Sequence, residues 1–314
     1  MAAAALAEGL LVALPTETVY GLGARADHPH AIARVYATKG RPADHPLIVH
    51  VRDAHAMRPW AATVPDYAEA LAEAGWPGPL TLVLSRTERA ADFITGGQDT
   101  VAIRVPSHPV MQEVLDLLAD LTGDPAIGIA APSANRFGRV SPTTADHVVA
   151  ELGELLDAQD VVLDGGPSSV GVESTIVDCT GERPVLLRPG HVSEADVVAI
   201  TGLTVGTTSA VRAPGTLASH YSPRALVLIM DAESLAARPS DDATTGVLAL
   251  ADIPTPAGHV RLSAPQTPED YARVLYGSLR EADALGLARI VAVPPPPDGV
   301  GAAIIDRLTR AAQE

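Results

Sequence analysis

Leu10-Leu11-Val12-Ala13-Leu14-Pro15-Thr16-Glu17-Thr18-Val19-Tyr20-Gly21-Leu22-Gly23 runs from a short apolar segment straight into a polar one. Leu10 to Leu14 reads as a buried strand, so the polar residues begin where a strand ends. Two further constellations belong with it, Lys39-Gly40-Arg41-Pro42 and Ala131-Pro132-Ser133-Ala134-Asn135. Arg41 precedes a proline, which favours extended backbone, and in extended chain side chains two apart share a side. Lys39 and Arg41 therefore read as one double cation. Ser133 and Asn135 read in the same way, as a hydroxyl and an amide side by side at the mouth of the apolar run Ile127 to Ala131.

Apolar runs recur outward from these points, at Leu47 to Val51, Thr81 to Leu84, Val101 to Val105, Val161 to Leu163, Ser174 to Asp178 and Val185 to Leu187. Helical patterns lie between them, at His30 to Lys39, Pro65 to Ala74, Pro109 to Leu121, Thr144 to Leu152 and Ser193 to Ile200. That alternation predicts an α/β domain built on a sheet. After Gly202 the composition turns to Thr, Ser, Gly and Pro through Ala218, as in a linker. A second α/β unit follows, with strands expected at Leu226 to Met230, Gly246 to Leu250, Val260 to Leu262 and Ile290 to Val293. Its helices are expected around Pro268 to Leu285 and Gly299 to Ala312.

The 314 residues, 47% of them hydrophobic, suffice for two cores. A net charge of −16 argues against a surface that wraps a nucleic-acid backbone, yet leaves room for a few inward cations serving a small anion. The single cysteine, Cys179, excludes an intrachain disulfide and suits a reducing compartment. Met1 to Leu14 lacks the basic start and cleavage site of a signal peptide, and no segment has the length of a membrane span. A soluble cytoplasmic protein is expected.

Gly21-Leu22-Gly23 is too far beyond Leu14 for a dinucleotide-binding turn, and its glycines read as permitting close backbone packing. Gly166 to Gly171 has P-loop spacing without the Lys-Ser/Thr that must follow. The hydroxyl-rich stretch Gly165 to Thr175 reads either as an anion-presenting loop or as a long turn. Five of the ten histidines fall between His28 and His55 without any established metal-ligand spacing. His50, closing a strand, is a packing residue or a ligand contact. In Val101-Ala102-Ile103-Arg104-Val105 the alternation sets Arg104 beside Ala102, where a cation requires a carboxylate from the protein or from a ligand. Arg188, before Pro189, is a fourth cation at a strand end; each of the four alone could equally offset surplus acid.

Together these segments closely resemble the YrdC/Sua5 family of threonylcarbamoyl-AMP synthases, which begin threonylcarbamoyladenosine (t6A) formation on tRNA. The resemblance rests on PTETVYGLG at Pro15 to Gly23, KGRP and HPLIVHV from Lys39 to Val51, PGPLTLVL at Pro77 to Leu84 and VAIRVP at Val101 to Pro106. It continues through APSAN and SPT from Ala131 to Thr143, GGPSSVGVESTIVD at Gly165 to Asp178 and LLRPG at Leu186 to Gly190. His220-Tyr221-Ser222-Pro223 resembles the linker of the longer, two-domain branch. It implies a twisted, mostly mixed sheet with a concave cavity over residues 1–203, a linker or lid over 204–223, and a smaller Rossmann-like α/β domain over 224–314.

The implied reaction joins L-threonine, bicarbonate or CO2, and ATP into threonylcarbamoyl-AMP and pyrophosphate, which mainly requires positioning and charge stabilisation. By resemblance Lys39, Arg41, Ser133 and Asn135 are the catalytic set. Arg41, His45, Thr100, Ser133, Ser141, Arg188 and Tyr221 meet ATP, and Thr18, His50, Arg104 and Ser174 meet threonine. Mg²⁺ is expected to arrive with ATP and no protein-held metal is expected. The product is expected to pass to a separate tRNA threonylcarbamoyl transferase, without stable tRNA binding or membrane contact. The rival reading is an RNA-binding or regulatory module using the same cavity; an aromatic content of 3% gives it little stacking surface. Carbamoyl transfer in hydrogenase maturation, a second rival, goes with zinc fingers that one cysteine cannot build.

Overall fold

In the computed structural model, which describes residues 1–215, 220–238 and 244–312, two sheets divide the chain. The larger takes β1 (Val12–Leu14), β2 (Gly21–Arg25), β3 (Ile48–His50), β4 (Leu80–Ser85), β5 (Thr100–Arg104), β6 (Ile129–Ala130), β7 (Val161–Val162), β8 (Thr175–Asp178) and β9 (Val185–Arg188). Their order is β7-β1-β2-β6-β3-β5-β4-β8-β9. Parallel pairs β1/β7, β3/β5 and β4/β8 alternate with antiparallel ones, so the sheet is mixed. The second takes β10 (Leu226–Ile229), β11 (Thr245–Leu248), β12 (Val260–Ser263) and β13 (Arg289–Ala292), all parallel, in the order β10-β13-β11-β12.

The large sheet buries its two faces differently. Ala13, Leu22, Ala24, Val49, Val101 and Ile103 point into one core with helices Pro29–Lys39, Asp66–Gly75 and Ala145–Leu152. On the opposite face, Val12, Leu14 and Ile129 pack under helices Ala2–Ala7 and Pro109–Thr122. Farther along that face Ile48, Val83, Ala102 and Ile176 are covered by Ala213 of the linker, without a helix. Between the helical cover and the linker cover the sheet stays open. That gap is where the polar residues of the sequence converge.

The second domain docks through apolar and ionic contacts. Val19, Val140 and Val172 of the first domain join Tyr221, Tyr271, Ala272 and Tyr276 in one cluster. The loop over 165–172 is held to the first domain and touches the second: Val170 N–H donates to the Glu17 carbonyl (2.7 Å) and Ser168 Oγ to the Thr16 carbonyl (3.0 Å), while the Ser169 carbonyl accepts from Arg273 Nε (3.1 Å) of the second domain. Thus the long-turn reading holds for this part of the stretch 165–175, and only its Glu173 and Ser174 reach the cavity.

The close-packing reading of Gly21 and Gly23 holds, within a strand, β2, that the sequence reading did not place: a Cβ on Gly23 would stand 2.9 Å from both Ile129 and Leu14. One expectation needs correction: Lys39 and Arg41 share no extended segment, because Lys39 ends a helix and Gly40 caps it in the left-handed region at φ 61. Of the linker stretch Pro214 to Ser219, residues 216–219 lie outside the described residues. Among the described residues no helix is long and apolar enough to cross a membrane.

Candidate active site

Strands β3 and β5 pair in parallel with His50 opposite Arg104, so both project from the open face while Val49 and Ile103 fill the core behind. Arg104 is anchored on three sides: Nε donates to the Gly78 carbonyl (3.1 Å), Nη1 to Thr18 Oγ1 (2.8 Å), and Nη2 lies 2.6 Å from Glu17 Oε1. The protein carboxylate demanded by a mid-strand arginine is therefore Glu17, in the segment after β1. Burial alone would raise the Glu17 pKa, but the charge and hydrogen bonding of Arg104 hold it below the ordinary value. A guanidinium has five N–H groups. Two of those on Arg104 are left over after these three contacts.

Thr16 and Thr18 brace each other through their hydroxyls (2.8 Å), fixing the Thr18 acceptor under Arg104. His50 Nδ1 faces the Ile129 carbonyl at 3.3 Å. A carbonyl only accepts, so Nδ1 carries the proton and Nε2 presents a lone pair. Burial first, then the nearby Arg104 charge, pushes the His50 pKa down to about 3, so the ring is neutral near pH 7.

Three further cations enclose the other end. Lys39 Nζ donates to the Ser133 carbonyl (2.5 Å) and to the Asn135 carbonyl. Arg41 Nη2 donates to the Pro46 carbonyl (2.9 Å), its guanidinium lies 5.8 Å from the Phe137 ring centre, and its Nε has no partner. Arg188 uses Nε and Nη2 on the Ser174 carbonyl and hydroxyl (both 3.0 Å) and Nη1 on the Pro214 carbonyl (3.0 Å). None of the three has a carboxylate within ion-pair distance among the described residues. Burial pushes Lys39 well below the usual lysine range, with Arg41 adding to the effect, and pushes Arg41 down to about 10 and Arg188 downward. Three buried cations without counterions form an uncompensated positive site, which an anion would relieve.

The cavity is closed by the linker. His220 stands edge-on to Phe137 (6.0 Å) and to Tyr221 (4.1 Å), while Tyr221 is buried at φ 63 with its hydroxyl unpartnered. Asn135 Oδ1 is buried without a partner as well.

Ten of the residues expected from sequence line this one cavity: Thr18, Lys39, Arg41, His50, Arg104, Ser133, Asn135, Ser174, Arg188 and Tyr221. Three do not. His45 stands behind Phe137, ring centres 5.3 Å apart. Thr100 pairs with Ser85 at the far end of β5, about 13 Å along the strand from Arg104. Ser141 donates to Glu173 Oε1 (2.6 Å) and reaches the cavity only through that carboxylate. Sequence reading missed Thr16, Glu17, Phe137 and Glu173 as lining or bracing groups. The demand of Arg104 for a carboxylate was the one local signal, and it did not say which.

A family model described as "Telomere recombination" matches residues 4–190, and one described as "Threonylcarbamoyl-AMP synthase, C-terminal domain" matches residues 186–313. A threonylcarbamoyl-AMP synthase of Pyrococcus abyssi is 38% identical over 99% of this chain and 93% of its own length. One of Bacillus subtilis is 36% identical over 99% and 92%. The solved structure of P. abyssi Sua5 complexed with L-threonine aligns at a TM-score of 0.87 and 37% identity, covering 99% of this chain and 93% of that one.

Proposed function

The chain belongs to the Sua5 family of threonylcarbamoyl-AMP synthases, and on that premise we propose how its cavity divides the work among three substrates. The enzyme makes L-threonylcarbamoyladenylate, the first step of t6A formation. The threonine nitrogen bonds to the carbon of CO2 or bicarbonate, giving a carbamate. A carbamate oxygen then bonds to the α-phosphorus of ATP, and the bond to pyrophosphate breaks; from bicarbonate, one water is also lost.

Arg104 takes the threonine carboxylate on its two spare N–H groups while Glu17 and Thr18 keep the guanidinium in place. The neutral His50, with Nε2 unprotonated, accepts a proton or hydrogen bond from threonine, and Ser174 lines the same end. Lys39, Arg41 and Arg188 hold the phosphates and the carbamate, where negative charge shifts onto the departing pyrophosphate. Ser133, Asn135 and Tyr221 complete the nucleotide end. One observation carries this division: a cation that already has its carboxylate stands at one end, and three that lack one stand at the other.

Mg²⁺ enters as part of the ATP complex. Glu173 of the cavity lining and Glu17, which braces Arg104 from behind, are each committed to an arginine, and among the described residues no three potential ligands converge on a metal position. The product leaves for a separate transferase, and the net charge of −16 disfavours tight tRNA binding by this chain.

Steady-state kinetics of two variants test the division. Arg104→Ala should raise the KM for threonine by about a hundredfold, the loss of a charge-assisted carboxylate contact, with the KM for ATP little changed. Lys39→Ala should lower kcat. Equal effects of both variants on threonine KM would sink the assignment.

A further inference from the structure

Arg307, on the last helix Gly301–Ala311, has a side chain wholly shielded from solvent. Its Nε donates to Glu173 Oε2 (2.9 Å), Nη1 to Asp306 Oδ2 (2.6 Å) and Nη2 to the Pro189 carbonyl (3.0 Å), one residue past Arg188. Its guanidinium also lies 5.3 Å from the ring centre of Tyr221. Tyr276, on helix Pro268–Ala284, donates its hydroxyl to the same Glu173 Oε2 (2.7 Å) and stacks on Tyr221 with ring centres 5.6 Å apart and 29° between planes. Two side chains of the second domain thus converge on one carboxylate of the cavity wall and one ring of its cover. The remaining oxygen of Glu173 accepts from Ser141 of the first domain.

Tyr221 itself gives the reason to read this as more than domain glue. A non-glycine residue at φ 63 is strained, and a fully buried tyrosine hydroxyl without a partner is costly. Both features persist only because surrounding groups impose them. The groups touching the ring are His220 beside it in the linker and Arg307 and Tyr276 from the second domain.

We propose that Arg307 and Tyr276 are positioning residues of the reaction: they seat Tyr221 at the cavity with its hydroxyl free for the nucleotide and fix Glu173 beside Ser174 and Arg188. The second domain thereby completes the ATP site without touching ATP. This rests on the reading that Tyr221 meets ATP.

The test compares Tyr276→Phe, which removes one hydroxyl and keeps the packing, and Arg307→Lys, which keeps the charge and loses the planar fork, each alone and combined with Tyr221→Phe. KM for ATP, KM for threonine, kcat and the unfolding midpoint are measured for every variant in the full chain. Tyr221→Phe should raise the KM for ATP about tenfold, the size of one lost hydrogen bond to a charged group. Tyr276→Phe and Arg307→Lys should each raise it by a similar factor with threonine KM within about twofold, and should add less than about twofold once Tyr221 is already Phe. An unchanged KM for ATP in Tyr221→Phe would overturn the nucleotide role of Tyr221 and this inference with it. A raised KM there, alongside unchanged ATP kinetics in the other two variants or full additivity, would overturn this inference alone. A fall in unfolding midpoint with both KM values and kcat worsened together would do the same, since that pattern belongs to a purely structural contact.

Discussion

Lys39 shows at the scale of one residue how the site is charged. Two of its three protons go to backbone carbonyls, burial and Arg41 depress its pKa, and no carboxylate compensates it among the described residues. Phosphate beside it must push that pKa back up. Binding of a non-hydrolysable ATP analogue is therefore accompanied by proton uptake at pH values below the ordinary lysine value of 10.5. Calorimetry in buffers of different ionisation enthalpy should report this uptake, and Lys39→Met should lose most of it. Proton release, or the same uptake in Lys39→Met, would contradict the charge state drawn for the apo site. Residues such as Lys39, Arg104 and Arg188 were legible in the sequence because a strand alternation, a following proline or a helix end locates them locally. Glu173 and Arg307 were not, since the pair is 134 residues apart along the chain and meets only when two domains dock.

At the scale of elements, legibility followed hydrophobic pattern. Apolar runs and capped helices gave twelve of the thirteen strands among the described residues and the long helices to within a few residues. β2 escaped because its buried face is carried by Leu22 and Ala24 alone, while Gly21 and Gly23 lie where a side chain would strike the neighbouring layer. Glycine normally weakens a strand, and only tertiary crowding makes it necessary here. Gly23→Val should consequently cost about 1–3 kcal/mol, the usual range for overpacking, read as a lower urea midpoint with unchanged slope. Wild-type stability in that variant would mean that β2 is not pinned between Leu14 and Ile129. The double-cation argument failed in its geometry for a related reason: Gly40 reverses the chain between Lys39 and Arg41, and both still reach the cavity from a helix end and the loop after it.

Over the whole molecule, the contrast is between an acidic exterior and a cationic interior. The chain carries a net charge of −16, yet four buried cations line the cavity under the linker, and a fifth, Arg307, secures that cover from the second domain. Such an arrangement suits the binding of small polyanions inside an acidic protein. The central claim is that this single cavity joins threonine, an inorganic carbon species and ATP. Pyrophosphate release, measured with each co-substrate omitted in turn and with mass spectrometry of the adenylate, tests it most directly. The account predicts that threonylcarbamoyl-AMP forms only when L-threonine, bicarbonate and Mg-ATP are all present, one pyrophosphate per adenylate. Absence of the adenylate from the folded enzyme under that complete set of conditions would contradict it.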